Sequence, residues 1–225
     1  MAATGKKVVK NIKKFAFVKK SPHICSDIYF STHKFFIIMS RILKIAGITL
    51  LAILLILFGL GYKNSGPYNI SRSKDISASP EQVYKVIGDY NKWNSWSPWG
   101  KLDPNQTFTV TGQAGTVGHR SEWKGNDQVG SGNMTIIEVK PNEYIKEELV
   151  FTAPQQSKCK ANLFLKANGS KTNVTWEMSG ESGVMEGIFL AFMGGMDKMM
   201  GKDFEKGLEN LDKVAAQEVV APIVN

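Results

Sequence analysis

The stretch Lys171-Thr-Asn-Val-Thr-Trp-Glu-Met-Ser179 alternates large apolar side chains with polar ones. This alternation is typical of a β-strand with one buried face, because successive side chains of a strand point to opposite sides of the sheet. We therefore expect Val174, Trp176 and Met178 to face the protein core, with the side chains between them facing outward.

The period of the sequence changes directly after this strand. Residues 185–216 have apolar side chains at helical spacing, with charged side chains on the other face. They predict a long amphipathic helix, with weak points at Gly194-Gly195 and Gly201, because glycine destabilises a helix interior.

Before the strand, the chain reads as a series of strands separated by short glycine, proline and asparagine turns. Short turns between successive strands require antiparallel pairing. A first, edge-like strand at 68–76 is followed by a helix at 80–89, for which Ser79, Pro80 and Gln82 supply a capping box and a favourable first residue. The remaining predicted strands are 107–111, 118–124, 130–140, 144–152 and 158–166.

Near the N-terminus, residues 45–62 form an apolar run without a charge. Extended to 42–62, it matches the roughly 20 residues that cross a bilayer as a helix. Residues 1–44 hold ten Lys or Arg and one acid, which gives them a net charge of +9. Because the whole chain has a net charge of +8, the remaining residues together carry −1. The positive-inside tendency then predicts a cytoplasmic N-terminus and an extracytoplasmic C-terminal domain, on the periplasmic or cell-surface side. A cleaved signal peptide is the alternative, although its apolar core is usually shorter, about 7–15 residues.

These features divide the chain into five segments. A basic tail, 1–38, is disordered or not translated, and Met39 is an alternative start. The transmembrane helix, 42–62, is followed by a spacer, 63–67, one folded domain, 68–216, and a frayed C-terminus, 217–225. Because the folded domain is nearly neutral, we expect no nucleic-acid partner.

Cysteine and glycine patterns point to no cofactor. Cys25 and Cys159 lie on opposite sides of the predicted membrane, and no Cys/His spacing is typical of zinc. The glycine-rich turns lack the phosphate-binding motif with its lysine. We therefore predict neither a metal nor another cofactor.

A sheet over a long helix leaves an apolar space between them, for which we name candidate lining residues. Methionine suits ligands of variable shape because its side chain is flexible and polarizable. The alternative is that these side chains simply fill the core, and that the closely spaced tryptophans cap it instead of gating a ligand. The candidates are Trp93, Trp96, Trp123, Leu149, Phe151, Trp176, Met178, Phe189, Phe192, Met193 and Met196.

Candidate catalytic groups are few. His119 is the only histidine of the folded domain and lacks an Asp at triad spacing, so a surface or hydrogen-bonded role is favoured. Glu122 and Glu147 are general acids or bases only if they are buried, and we expect them on the solvated face.

The order of elements resembles the SRPBCC superfamily, the START-like helix-grip fold that includes the polyketide cyclase/dehydrase and lipid-transport family. The resemblance covers about residues 68–214. It depends on these stretches: Ser79-Pro-Glu-Gln-Val-Tyr, the segment from Tyr90 to Trp99, Gly130-Ser-Gly-Asn-Met-Thr-Ile-Ile-Glu-Val-Lys-Pro, Thr172-Asn-Val-Thr-Trp-Glu-Met, and the helix that begins Met196-Asp-Lys-Met-Met.

The resemblance implies an α+β helix-grip domain, with a curved antiparallel sheet wrapped around a long C-terminal helix. Members of this superfamily carry lipids or bind small molecules, and only some catalyse. We expect a bacterial-envelope protein that binds a hydrophobic small molecule or lipid and is more binding protein than enzyme. The alternatives are a cyclase- or aromatase-like enzyme that uses the same space with His119 or Glu147, and a protein-interaction scaffold with a filled core.

Overall fold

A computed structural model describes residues 22–218, with side chains from Lys34 onward. The chain divides near Leu54 into an N-terminal unit and a C-terminal unit that holds the sheet. Residues 1–21 of the predicted tail and 219–225 of the predicted frayed C-terminus lie outside the described residues.

The first helix, α1, spans Pro22–Asn64 and so begins well before the predicted 42–62 segment, within the predicted tail. From Lys34 to Asn64 it is long and apolar enough to cross a membrane, as a membrane anchor or a signal sequence would be. Within this part of the helix, Thr49 Oγ1 donates to the Ile45 carbonyl at 2.9 Å, and Ser40 Oγ donates to the Ile37 carbonyl at 2.9 Å.

The C-terminal unit contains one seven-stranded sheet in which every neighbouring pair is antiparallel. The strand order is β1-β7-β6-β5-β4-β3-β2. Strands β2 to β7 form a meander in which each pairs with the next, and β1 pairs with β7 at one edge of the sheet. A register shift between Ile136 and Glu138 places a bulge in β4, which increases local twist. The strands are β1 (Gly66–Ile76), β2 (Thr107–Thr111), β3 (Arg120–Lys124), β4 (Ser131–Lys140), β5 (Tyr144–Ala153), β6 (Ser157–Asn168) and β7 (Lys171–Ser182).

The helix after β1 is fixed by the capping box that the sequence predicts. α2 spans Pro80–Ile87; Ser79 Oγ accepts from the Gln82 amide, and the Gln82 side chain accepts from the Ser79 amide. Such a cap contributes about 1 kcal/mol to the stability of a helix. The tryptophan segment follows as a short helix, α3 (Trp93–Trp96), between two 3₁₀ turns, Tyr90–Lys92 and Trp99–Lys101.

The single long helix expected at 185–216 is broken into two, α4 (Val184–Met193) and α5 (Met196–Ala215). Gly194 and Gly195 separate them with φ angles of 82° and 97°. These angles fall in the left-handed region that glycine adopts at little cost, so the pair ends one helix and redirects the chain.

α5 lies across the inner face of β1 and β7, and this packing forms the core. Val174, Trp176 and Met178 are buried there, as the alternation predicts. Arg72 of β1 forms ion pairs of 2.8 Å with both Asp197 and Glu205 of α5. The curved antiparallel sheet, the C-terminal helix and the preceding apolar helix confirm the predicted α+β helix-grip class.

Candidate ligand site

A cavity of about 270 Å³ lies between the sheet and the segment that joins α2 to β2. Its wall is almost entirely apolar and aromatic, which is typical of small-molecule sites. The lining residues are Trp93, Asn94, Trp99, Gly100, Gln106, Phe108, Ser121, Trp123, Gln128, Val129, Met134, Leu149, Phe151, Met178 and Met200.

The floor of the cavity is built by neighbouring strands in register. Ser121, Met134 and Leu149 form one row across β3, β4 and β5, because each is paired with the next. In the next row, Trp123 and Phe151 flank Gly132, and their rings meet edge to face at 5.7 Å. Antiparallel pairing therefore brings together side chains that are widely separated in the sequence.

The roof comes from outside the sheet. Trp93 and Trp99 project from the short helical segment, and Met200 comes from α5. The segment is tied to α5 by a hydrogen bond in which Asn210 Nδ2 donates to the Trp96 carbonyl at 3.1 Å. The roof therefore consists of short turns resting on the long helix.

Two polar side chains of the cavity wall have unmet hydrogen-bonding capacity. Ser121 Oγ and Asn94 Oδ1 are buried and have no partner among the described residues. Buried polar atoms normally have partners, so such atoms beside a cavity indicate where a ligand could bind. None of the described lining residues is ionisable at neutral pH, and residues 34–218 contain no cluster of three His, Cys, Asp or Glu side chains suited to a metal.

The structure distributes the eleven predicted lining residues over three environments. Five border the cavity: Trp93, Trp123, Leu149, Phe151 and Met178. Trp96 and Trp176 are fully packed in the core, and Met196 packs against it. Phe189, Phe192 and Met193 lie on the surface of α4, because the break at Gly194-Gly195 separates α4 from the helix that covers the sheet.

Several lining residues were not among the predicted ones. Phe108 could have been found from the alternation of β2, where it lies between Thr107 and Thr109. Met200 could have been found from its apolar position on α5. Asn94 gives no such signal, because its position depends on how the short helix α3 folds back over the sheet.

Four of the five tryptophans form one aromatic cluster, in which Trp93, Trp96 and Trp99 surround Trp176. The Trp176 ring stacks on Phe204 of α5 with centroids 4.2 Å apart, and it meets Trp96 and Trp99 edge to face at 5.2 and 5.8 Å. Offset and edge-to-face contacts of this kind are favourable. Trp96 is part of the core, as the core-cap alternative expects, whereas Trp93 and Trp99 border the cavity, and whether they gate a ligand stays a prediction.

Glu147 is buried, which corrects the expectation of a solvated carboxylate. It lies on the inner face of β5, two residues before Leu149, with 1% of its surface exposed. Tyr90 Oη donates a hydrogen bond of 2.9 Å to Glu147 Oε1, while Oε2 has no partner among the described residues. Burial raises the pKa of Glu147 to about 8, and the Tyr90 hydrogen bond opposes part of that rise. Glu122, in contrast, is exposed and pairs with Arg120 at 2.7 Å.

His119 is buried beside the same tyrosine. Its ring stacks on Tyr90 with centroids 4.7 Å apart, Nε2 accepts from the Tyr90 amide at 3.1 Å, and Nδ1 lies 3.2 Å from the Gly112 carbonyl. With Nε2 as the acceptor, the tautomer that carries its proton on Nδ1 can donate to the Gly112 carbonyl. The hydrogen-bonded role favoured for His119 matches its surroundings. Neither His119 nor Glu147 is part of the cavity wall.

Comparison with known proteins identifies relatives of this domain. Residues 68–216 match the family model described as polyketide cyclase / dehydrase and lipid transport. Among curated proteins, none matches the chain.

Many solved structures are similar in fold. A protein from Mesorhizobium loti is 15% identical with a TM-score of 0.49, the alignment covering 68% of this chain and all of that one. A protein from Chromobacterium violaceum is 16% identical with a TM-score of 0.47 over 68% of this chain and 98% of that one. The Aha1 dimer from Colwellia psychrerythraea gives 18% and 0.46 over 65% of this chain and 98% of that one.

Proposed function

Because this chain belongs to the polyketide cyclase / dehydrase and lipid transport family, we propose that it is a membrane-anchored binding protein for a small, uncharged, hydrophobic molecule. The observation that supports this proposal is the apolar cavity between the sheet and the tryptophan segment. Burial of apolar ligand surface is the main source of affinity in such a site.

The size of the cavity narrows the ligand class. Its volume of about 270 Å³ lies just below the roughly 300–1,000 Å³ of sites for drug-sized ligands. A molecule of one or two rings, or a single short chain, fits this volume. A two-chain phospholipid does not, so of the two predicted ligand classes we favour the small molecule over the membrane lipid.

The unpartnered oxygens suggest one polar group on the ligand. Asn94 Oδ1 can only accept a hydrogen bond, whereas Ser121 Oγ can donate or accept. A ligand hydroxyl placed against this wall could therefore donate to either oxygen. A charged group would lack an ionic partner there, and burying an unpaired charge is costly.

Filling the cavity should remove the ligand. Ser121→Leu replaces the hydroxymethyl group of the floor with a larger isobutyl group, so we expect it to lower the amount of copurifying small molecule by about tenfold or more. The measurement is mass spectrometry of organic extracts from the purified full-length protein, wild type against variant.

Thr109→Leu is the matched control, because Thr109 lies on the exposed face of β2 and the same side chain there leaves the cavity unchanged. Equal unfolding midpoints for the three proteins would exclude misfolding as the cause. If no compound is enriched in wild type over Ser121→Leu, the binding proposal is wrong.

The second candidate function is a cyclase- or aromatase-like enzyme. One observation favours it: Glu147 and His119 are buried, and each lies two residues before a cavity-lining residue, Leu149 of β5 and Ser121 of β3 respectively. Acid–base catalysis requires a titratable group within hydrogen-bond reach of the substrate. Because neither side chain belongs to the cavity wall, we rank binding first. The cavity also argues against the third candidate, a scaffold with a filled core.

For α1, we propose an uncleaved membrane anchor with the N-terminus in the cytoplasm and the C-terminal domain outside it. The uncharged run at 45–62 and the basic residues before it support this orientation.

Reporters fused after Asn225 test the orientation. Alkaline phosphatase, which is active only outside the cytoplasm, should be active there, and green fluorescent protein exported by the same route should be dark. The reverse pattern would overturn the orientation. An intact mass that lacks residues 42–62 would instead identify a cleaved signal peptide.

A further inference from the structure

Helix α4 presents an apolar face to solvent. Met185, Phe189 and Phe192 recur at intervals of four and three residues, so they lie on one side of the helix. Their exposed fractions are 72%, 56% and 73%, and the adjacent Met193 is 44% exposed. Several large apolar side chains exposed together on one short helix mark an interaction surface.

The other side of α4 packs against the last turns of α1. A side chain at Gly187 would collide with the Gly61 carbonyl and the backbone around Asn64, and one at Gly61 would collide with Val184 and Ile188. The two backbones can approach this closely because both positions are glycine. Ser182 Oγ also donates to the Gly66 carbonyl at 3.3 Å, which joins the end of β7 to the start of β1 beyond the helix.

The last turns of α1 are themselves apolar and exposed. Leu55, Ile56 and Phe58 have exposed fractions of 63%, 63% and 59%. They belong to the uncharged run that ends at Tyr62, so α4 contacts α1 at the level where the run gives way to Lys63. Under the anchor proposal, that level is the boundary between acyl chains and headgroups.

The charges of α4 fit such a boundary. Glu186 is its only ionisable residue and is held at the N-terminus, where its carboxylate accepts from the Gly183 amide at 3.0 Å. Lys198 lies beside Gly194 at the other end of the helix, and Lys63 lies in the last turn of α1. Basic side chains at both places suit anionic headgroups.

From these contacts we infer that the exposed face of α4, comprising Met185, Phe189, Phe192 and Met193, inserts into the interface of the bilayer that α1 crosses. The inference rests on the proposed membrane anchor. It gives the protein a second, interfacial contact with the lipid, in which a short helix lies in the membrane plane with its apolar face down.

A depth-sensitive fluorophore on single cysteines tests this inference. Full-length protein with Cys25→Ser, and with buried Cys159 retained, takes a nitrobenzoxadiazole label on Phe192→Cys, Ile48→Cys or Thr109→Cys. Each is reconstituted into phosphatidylethanolamine–phosphatidylglycerol vesicles, with or without lipids that carry a nitroxide quencher near the headgroup end or the far end of the acyl chain. Thr109 is the control, because β2 is the sheet edge opposite β1.

We expect several-fold stronger quenching at Phe192 than at Thr109, greatest with the shallow nitroxide, and strong quenching at Ile48 with the deep one. Quenching at Ile48 with none at Phe192 would overturn the α4 inference and leave the anchor standing. No quenching at Ile48 would refute the anchor itself. A blue-shifted but unquenched label at Phe192 would mean that protein, such as a second copy of the chain, covers the face instead of lipid.

Discussion

The free energy of unfolding of the wild-type domain should fall as pH rises from about 5 to about 9, and the Glu147→Gln variant should show little of this fall. Burial holds the pKa of Glu147 at about 8 in the folded protein, whereas an unfolded glutamate titrates near 4.5. Between these values the unfolded chain releases a proton that the folded protein retains. Stability is therefore fully present below the unfolded pKa and falls until pH passes the folded pKa.

The expected size of this effect is large. At about 1.4 kcal/mol for each pKa unit, a rise from 4.5 to about 8 corresponds to on the order of 5 kcal/mol. Typical domains have only about 5–15 kcal/mol of stability in total. Glutamine is uncharged at every pH and can still accept the hydrogen bond from Tyr90, so its variant should be more stable than wild type above pH 8.

Denaturant unfolding of the full-length protein in mild detergent measures this. All five tryptophans lie between residues 93 and 176, so their fluorescence reports on the C-terminal domain alone. Glu148→Gln is the matched control, because Glu148 is the next residue, lies on the outer face and pairs with Lys158 at 2.7 Å. If Glu147→Gln keeps the pH slope of wild type, Glu147 is not protonated in the folded domain.

Trp176→Ala should cost about 3–5 kcal/mol, the range for truncation of a large aromatic side chain in a packed core. Trp176 is 2% exposed, and its ring contacts Phe204 of α5 together with Trp96 and Trp99. Its removal leaves a void that the sheet and α5 cannot close without moving together, so both lost burial and lost ring contacts add to the cost.

Trp123→Ala is the comparison variant, because it removes the same side-chain atoms at a position that already borders the cavity. We expect a smaller loss there, because little new cavity is created. The midpoints and slopes of urea unfolding for the two variants, followed by the remaining tryptophans, give the difference. If both variants lose the same free energy of unfolding, the ring contacts around Trp176 add nothing to stability beyond the burial of one side chain.

Much of this fold could be predicted because the signals are local. The alternation of Val174, Trp176 and Met178 and the capping box at Ser79 each depend on residues within one strand or one turn. The family resemblance then ordered these elements into a helix-grip domain. The break at Gly194-Gly195 was visible as a weak point, but no local signal shows whether such a pair bends a helix or ends it.

The site was harder to predict, and Glu147 shows why. Alternation from Leu149 and Phe151 points Glu147 inward, yet its charge argued for the solvated face. The outcome depends on Tyr90, which is 57 residues earlier in the chain and supplies the hydrogen bond. Partners this distant are set by tertiary packing, which a strand pattern does not contain. The same holds for Asn94 and for the surface position of Phe189.

The two ends of the sheet pack against different parts of the protein. α5 packs on β1, where Arg72 pairs with Asp197 and Glu205, and its Phe204 stacks on Trp176 of β7. The floor of the cavity is formed by β3, β4 and β5 instead, with Met178 and Met200 at its border. We therefore expect substitutions on the floor to change the shape of the cavity with little effect on the packing of α5. If the domain binds a ligand as proposed, its selectivity can change one side chain at a time while the fold is kept.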